Sequence, residues 1–174
     1  MNQKTAMKLF GLLGLLMLLS CGYADRHRNN SSCEQVLVDS LEVRVQDSLF
    51  SNVHYSRSQL LEALTQTQDS LVYYRLLALY GKTFFVSSDF DSILYYNRRV
   101  KEFSRNASQS SESLQSPRWN DVLSDVYNIE GNVWMQLNRP DSAIIDYKKA
   151  YGYRLEGKKL HLLPDICINI ADAY

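Results

Sequence analysis

The stretch Gly131–Ala150, "GNVWMQLNRPDSAIIDYKKA", decides how the rest of the chain is read. It joins two amphipathic segments through the short turn "NRP". Pro140 suits the first turn of the second segment, where its missing N–H has no intrahelical acceptor to lose. Ala143, Tyr147 and Ala150 are spaced four and seven apart and therefore share one helical face. Gly131 and Ala143 are expected to face each other, because helix axes come within about 8–10 Å only over small side chains. Trp134 is expected to fill the space beside that contact and to cover the next hairpin.

Working outward, a shift of fifty residues lays an upstream hairpin on this one. Gly81 falls on Gly131, Phe84 on Trp134, Asp91 on Asp141 and Ser92 on Ser142, while Arg98 and Arg99 fall on Lys148 and Lys149. Val100 falls on Ala150, so a glycine and a turn align together. A third copy begins at Pro164, with Cys167, Ile170, Ala171 and Tyr174 at the matching places.

These residues resemble the tetratricopeptide repeat family. Its pattern of large residue, Gly or Ala, aromatic, Ala, aromatic, Ala is matched by Tyr127, Gly131, Trp134, Ala143, Tyr147 and Ala150. Glu130 stands where the family has leucine, and the terminal proline is absent. The upstream copy supplies Leu77, Tyr80, Gly81 and Phe84 but has Ile93, Asn97 and Val100 in its second helix. The resemblance implies an all-α fold, an α-solenoid of antiparallel helix hairpins coiled as a right-handed superhelix. Copies are expected at about residues 74–104 and 124–157, with a partial one at 164–174. The packing positions are Gly81, Phe84, Gly131, Trp134, Ala143, Tyr147, Ala150 and Ala171.

Composition agrees with a helical protein: 174 residues hold three prolines and seven glycines beside twelve tyrosines. Lys plus Arg equals Asp plus Glu at 19 each, so no overall field favours nucleic acid. Residues 34–70 are expected to form a divergent helical start. Leu37, Leu41, Val45 and Leu49 recur every four residues from Glu34 to Phe50, "SNVHYS" interrupts, and a second segment begins near Ser58. Leu71 to Val86 carries only Arg75 and Lys82 as charges and must be covered on more than one side. "SSDFD" at Ser87–Asp91 is a turn with candidate caps. The serine-rich stretch near 105–118 is a loop whose length puts ordinary stacking of the two hairpins in question.

The first twenty residues read as an export signal. Lys4 and Lys8 precede an eleven-residue apolar run, Leu9–Leu19, about half the length of a spanning helix. Leu18, Leu19, Ser20 and Cys21 resemble the bacterial lipoprotein box, which implies cleavage before Cys21 and lipid, including palmitate, on that cysteine. Residues 21–33 then form a flexible tether. Acyl chains at one terminus give stable anchoring, at about 0.8 kcal/mol per buried methylene. The expected location is the cell membrane or outer membrane, facing periplasm or exterior. Cys33 and Cys167 remain, either as separate thiols or, after export, as a disulfide.

Nothing in the sequence reads as an enzyme or a cofactor site. His27 lies in the tether, His54 in a turn and His161 in a connection, and none joins a nucleophile, metal motif or phosphate loop. The resemblance instead implies an inner wall built from first helices. Carried over position by position, that wall comprises Arg75, Ala78, Lys82 and Phe85 from the upstream copy and Asp125, Asn128, Asn132 and Met135 from the better one. The expected function is a membrane-tethered scaffold or adaptor of the bacterial envelope, binding a protein or peptide. The alternative is the extracytoplasmic sensory region of a regulator or histidine kinase, since the chain is similar to exported repeat regions of Bacteroidetes-type bacteria. Residues 164–174 then act as a solenoid cap or as a first helix without its partner.

Overall fold

The computed structural model describes residues 36, 38–45, 47, 51–107 and 116–174. The expected signal segment, Cys21, the tether, Cys33 and most of the serine-rich stretch lie outside the described residues. The chain divides into two compact units, Met1–Ser40 and Leu41–Tyr174. In the first unit the described residues, 36 and 38–40, are helical. The second unit is all-helical, with no strand among the described residues.

The second unit begins with helical residues 41–45 (α1), followed by Val53–Gln66 (α2), Ser70–Lys82 (α3) and Phe90–Ala107 (α4). Pro117–Gln136 (α5), Pro140–Leu155 (α6) and Leu163–Asp172 (α7) complete it. No helix among the described residues is long and apolar enough to cross a membrane.

Local chemistry accounts for the helix starts. Asn52 caps α2 by accepting from Tyr55 N–H at 3.1 Å, so that helix begins at Val53 and not near Ser58. Ser58 instead sits inside the helix, its hydroxyl donating to the Tyr55 carbonyl at 2.8 Å. Asp69 caps α3 by accepting from Leu71 N–H at 2.8 Å and Val72 N–H at 3.3 Å. Ser116 accepts from Trp119 N–H at 3.3 Å, and Pro117 occupies the first turn of α5. Pro140 occupies the first turn of α6, as its position in the turn predicts. The helix expected to run to Val86 is α-helical only to Lys82, then tightens into a 3-10 turn over Thr83–Ser87.

That tightening ends in a turn that recurs fifty residues later. Ser88 has φ 53° and Asn138 has φ 56°, and they are the positive-φ residues among those described. Asp89 N–H donates to the Phe84 carbonyl at 3.2 Å and Ser88 N–H to Phe85 at 3.1 Å. Arg139 N–H donates to Trp134 at 2.8 Å and Asn138 N–H to Met135 at 3.0 Å. Both are Schellman-type endings, in which a left-handed residue turns the chain back and satisfies the last carbonyls of the helix. The next helix also opens alike, with Ile93 N–H on the Asp89 carbonyl and Ala143 N–H on that of Arg139.

Each turn folds two helices antiparallel. In the second hairpin, Ser124 pairs with Ala150, Trp134 with Asp146 and Asn132 with Tyr147. In the first, Tyr74 stacks on Phe103 at 4.0 Å and Phe84 on Tyr96 at 5.7 Å. Ile93, Asn97 and Val100, the poor matches of the upstream copy, are fully buried, as are Ala143, Tyr147 and Ala150 at the same register. Side-chain identity differs between the copies, whereas the buried face does not.

The nearest neighbour of Gly131 in the second hairpin is Tyr147. Gly131 lies under the ring of Tyr147, and a Cβ there would sit 2.9 Å from Tyr147 Cζ and closer still to the ring edge. Ala143 joins Tyr147 and Ala173 in a core with Trp134 and Ile170. The close approach is completed by Ser124, whose hydroxyl donates to the Ala150 carbonyl at 2.8 Å.

The long serine-rich connection does not separate the hairpins. Leu77, Val100, Trp119, Val122, Leu123 and Val126 form one core shared by α3, α4 and α5. Trp119 Nε1 donates to Ser104 Oγ at 3.0 Å, which fixes the start of α5 against the end of α4. From Leu71 to Lys82 no residue of α3 is exposed, as its two-sided apolar pattern requires.

Candidate functional site

Arg75 of α3 reaches Glu42 of α1 at 3.2 Å, with side chains only 11% and 17% exposed. Lys82 is half-buried, and Phe85 packs on Phe90 beside Ile93. On α5, Asp125 is bonded by Arg154 of α6. Asn128 accepts from Asn169 of α7 at 3.0 Å, and Asn132 accepts from the Tyr147 hydroxyl at 2.8 Å. Met135 is packed against the core of Ala143, Tyr147 and Ala173. The row Asp125, Asn128, Asn132, Met135 therefore lies along the seam between α5 and the helices after it. Burial raises the Tyr147 hydroxyl to about 12, with the Asp172 carboxylate adding to the effect, so this phenol stays a donor to Asn132.

The most buried charges form a knot at the N-terminal half of α5. Arg154 is 1% exposed and donates to Asp121 Oδ1 at 2.8 Å and to Asp125. Asp121 also accepts from the backbone N–H of Lys158 at 3.0 Å and of Lys159 at 3.1 Å. That leaves no room for a side chain at Gly157, where a Cβ would lie 3.0 Å from Asp121 Cγ and nearer to its oxygen. The loop after α6 is thus clamped, and it aims Lys159 at Glu42.

A second cluster lies where α4, α5 and α6 meet. Glu130, the residue that departs from the family pattern, is buried and takes both its oxygens to Lys101 Nζ, at 2.8 and 2.6 Å. Burial raises its carboxyl above the ordinary glutamate range, partly countered by Lys101. Lys101 and Lys149 both approach the Tyr127 ring, at 5.2 and 5.0 Å, and that ring stacks on Tyr153 at 5.7 Å. Lys149 in turn bonds Asp146 at 3.0 Å, which accepts from Trp134 Nε1 at 2.8 Å.

Sequence reasoning passed over Arg154, Asp121, Glu42, Lys159 and Lys101. A signal did exist for the first two. Arg154 continues the stripe Ala143, Tyr147, Ala150, and Asp121 and Asp125 stand one turn apart on the facing helix. An arginine on an apolar stripe requires such partners, because an unpaired buried charge costs several kcal/mol, about 3–5.

Among the described residues there is no cluster of His, Cys, Asp and Glu able to hold a metal ion. Cys167 is exposed and has a free thiol. Cys167, Ile168 and Ala171 of α7 are exposed, as is Tyr174 just beyond it, with Ile168 at 58% and Tyr174 at 81%. Forty residues earlier, the same positions on α5 are Tyr127, Asn128, Gly131 and Trp134, of which Tyr127, Gly131 and Trp134 meet α6 and Asn128 meets Asn169 of α7.

The described residues of the second unit are all-helical, and its two central hairpins repeat at a fifty-residue interval. No family model, curated protein or solved structure matches it.

Proposed function

We propose that this chain is a tetratricopeptide-like solenoid, exported and lipid-anchored at Cys21, which serves as a protein-binding scaffold or adaptor at the bacterial envelope. The observation that carries this reading is the repeated hairpin. Ser88 and Asn138 turn alike, Ile93, Asn97 and Val100 are buried like Ala143, Tyr147 and Ala150, and both hairpins share core with a following helix. Stacked hairpins of this kind contact chiefly their neighbours and present an extended wall, which suits recognition better than chemistry.

The test is chemical crosslinking of the tethered protein in its own envelope, followed by pull-down. A discrete partner, lost on substituting exposed residues of the helical unit, supports a scaffold; recovery of the chain alone refutes it. The anchor is tested separately, since a Cys21→Ser chain that stays membrane-bound after export removes lipid from the account.

A second reading, the extracytoplasmic sensory region of a transcriptional regulator or histidine kinase, is favoured by the apolar stripe on α7. Its equivalent on α5 lies beneath another helix, so here too a polypeptide cover is expected. Light scattering over a concentration series distinguishes this from a capping role, which predicts a monomer at every concentration.

A further inference from the structure

We infer that α7 pairs with α7 of a second copy of this chain, antiparallel about a twofold axis, with Cys167 of each copy set against Ala171 of the other. The internal repeat supplies the reason for a helix at this face, and the side chains on the face select which helix.

α7 is seated on the preceding hairpin as α5 is seated on its own. Ile166 and Ala173 are buried, as are their equivalents forty residues earlier, Val126 and Val133. Asn169 reaches Asn128 of α5, while Ile170 and Ala173 pack with Ala143 and Tyr147 of α6. The side of α5 that holds Tyr127 and Gly131 is covered by α6. The corresponding residues of α7, Cys167 and Ala171, are exposed, with exposed Ile168 beside them. The packing interface between α5 and α6 therefore continues on α7 as an open helix face.

The side chains argue against an α6-like helix as the cover. On α5 the ring of Tyr147 lies on Gly131, where an added Cβ would be 2.9 Å from Cζ. Ala171 carries that Cβ, so a helix presenting a tyrosine ring there is held off, whereas one presenting a small side chain fits closely. Pro164, Cys167, Ile168 and Ala171 follow one another at three, four and seven residues along α7 and share a face. Turned on a second copy of itself, with the axis midway between Cys167 and Ala171, this face makes the same small-to-small contact twice and brings the two Ile168 side chains together. One patch used twice closes the assembly at two copies.

Two features set the strength of the pairing. α7 has ten residues and is about 15 Å long, so one helix pair covers less than the usual area of about 800 Å² per partner and associates weakly. Asp165 and Asp172 are exposed on the flank next to Ile168, and the twofold brings Asp165 of one copy near Asp172 of the other. Salt screens that repulsion and should favour the pair. The lipid anchor proposed above would raise the local concentration of copies, but the pairing itself does not rest on it.

The test uses the full chain in density-matched detergent. In sedimentation equilibrium the mass is expected to rise from one chain to two with concentration, and to do so at lower concentration when salt is raised from about 0.05 to 0.5 M. Alkylation of Cys167 by iodoacetamide, followed on its own peptide by mass spectrometry, is expected to slow about tenfold once nine-tenths of the chains are paired. Ala171→Glu is expected to abolish both effects, and Ala171→Ser, which keeps a small side chain, to retain them. Ile145→Glu, at an exposed apolar position on α6, is expected to change neither. A monomer at every concentration, an association in which Cys167 is alkylated at the monomer rate, or one that survives Ala171→Glu overturns the pairing. In the envelope, crosslinks between copies through α7 with no other partner would support the pairing while counting against the scaffold. A different protein crosslinked to α7 in place of a second copy would overturn the pairing and leave the scaffold standing.

Discussion

Three helical glycines allow the packing of the hairpins to be tested with one kind of substitution. Replacing glycine by alanine inside a helix stabilises by up to about 1 kcal/mol where space permits. At Gly152 on α6 nothing lies within 4 Å of the added Cβ, so Gly152→Ala should gain most of that amount. At Gly131 the added Cβ meets the ring of Tyr147, with Cζ at 2.9 Å. That ring is buried and tied by its hydroxyl to Asn132, so it has little freedom to withdraw. Overpacking of this kind costs about 1–3 kcal/mol, which offsets the helix gain and leaves Gly131→Ala less stable by up to about 2 kcal/mol. Gly81→Ala should fall between them, because its Cβ meets mainly Tyr96 Cβ, at 2.9 Å. Urea unfolding followed by far-ultraviolet circular dichroism gives the three midpoints. For a chain of this size, each kcal/mol corresponds to about 2–4 °C in Tm, so thermal scans provide a second reading. If Gly131→Ala were as stable as Gly152→Ala, the close contact of α5 with Tyr147 would be refuted.

Three further outcomes are expected. Arg154→Ala should cost about 3–5 kcal/mol in urea unfolding, because it strands the buried Asp121 carboxylate, and a loss below about 1 kcal/mol would contradict the knot. The Glu130 carboxyl is raised by burial, so its contribution to stability is fully present below the unfolded glutamate value and is lost as pH rises through the folded one. Wild type should therefore lose stability over that window more steeply than Glu130→Gln in a pH series of urea midpoints; parallel curves would show that Lys101 fully compensates. Finally, Ser88→Gly and Asn138→Gly should both stabilise by relieving positive φ, with the larger gain at Ser88, because asparagine tolerates the left-handed region better. Equal and negligible Tm shifts would argue against that turn geometry.

Much of this architecture was legible in local sequence. A period near 3.6 marks which face of each helix is buried, and Pro140 and the "SSDFD" and "NRP" turns mark where helices begin and end. These signals act within one or two turns of chain, so the fifty-residue register from Gly81 to Gly131 could be read directly, and even the mismatched Asn97 proved to be buried. The start of α2 departs from the expected Ser58 because Asn52, a capping residue, lies inside the interrupting "SNVHYS".

Tertiary packing decided what those faces meet. Periodicity places Asp125, Asn128 and Asn132 on one side of α5, but only the docking of α6 and α7 determines that this side forms a seam. It also decided that Glu130 is paired and that Arg154 is enclosed. Glu42 and Lys159 stand 117 positions apart, and no local pattern relates them. Their meeting depends on the angles at which several helices pack, which are set by the combined fit of side chains and not by any one segment.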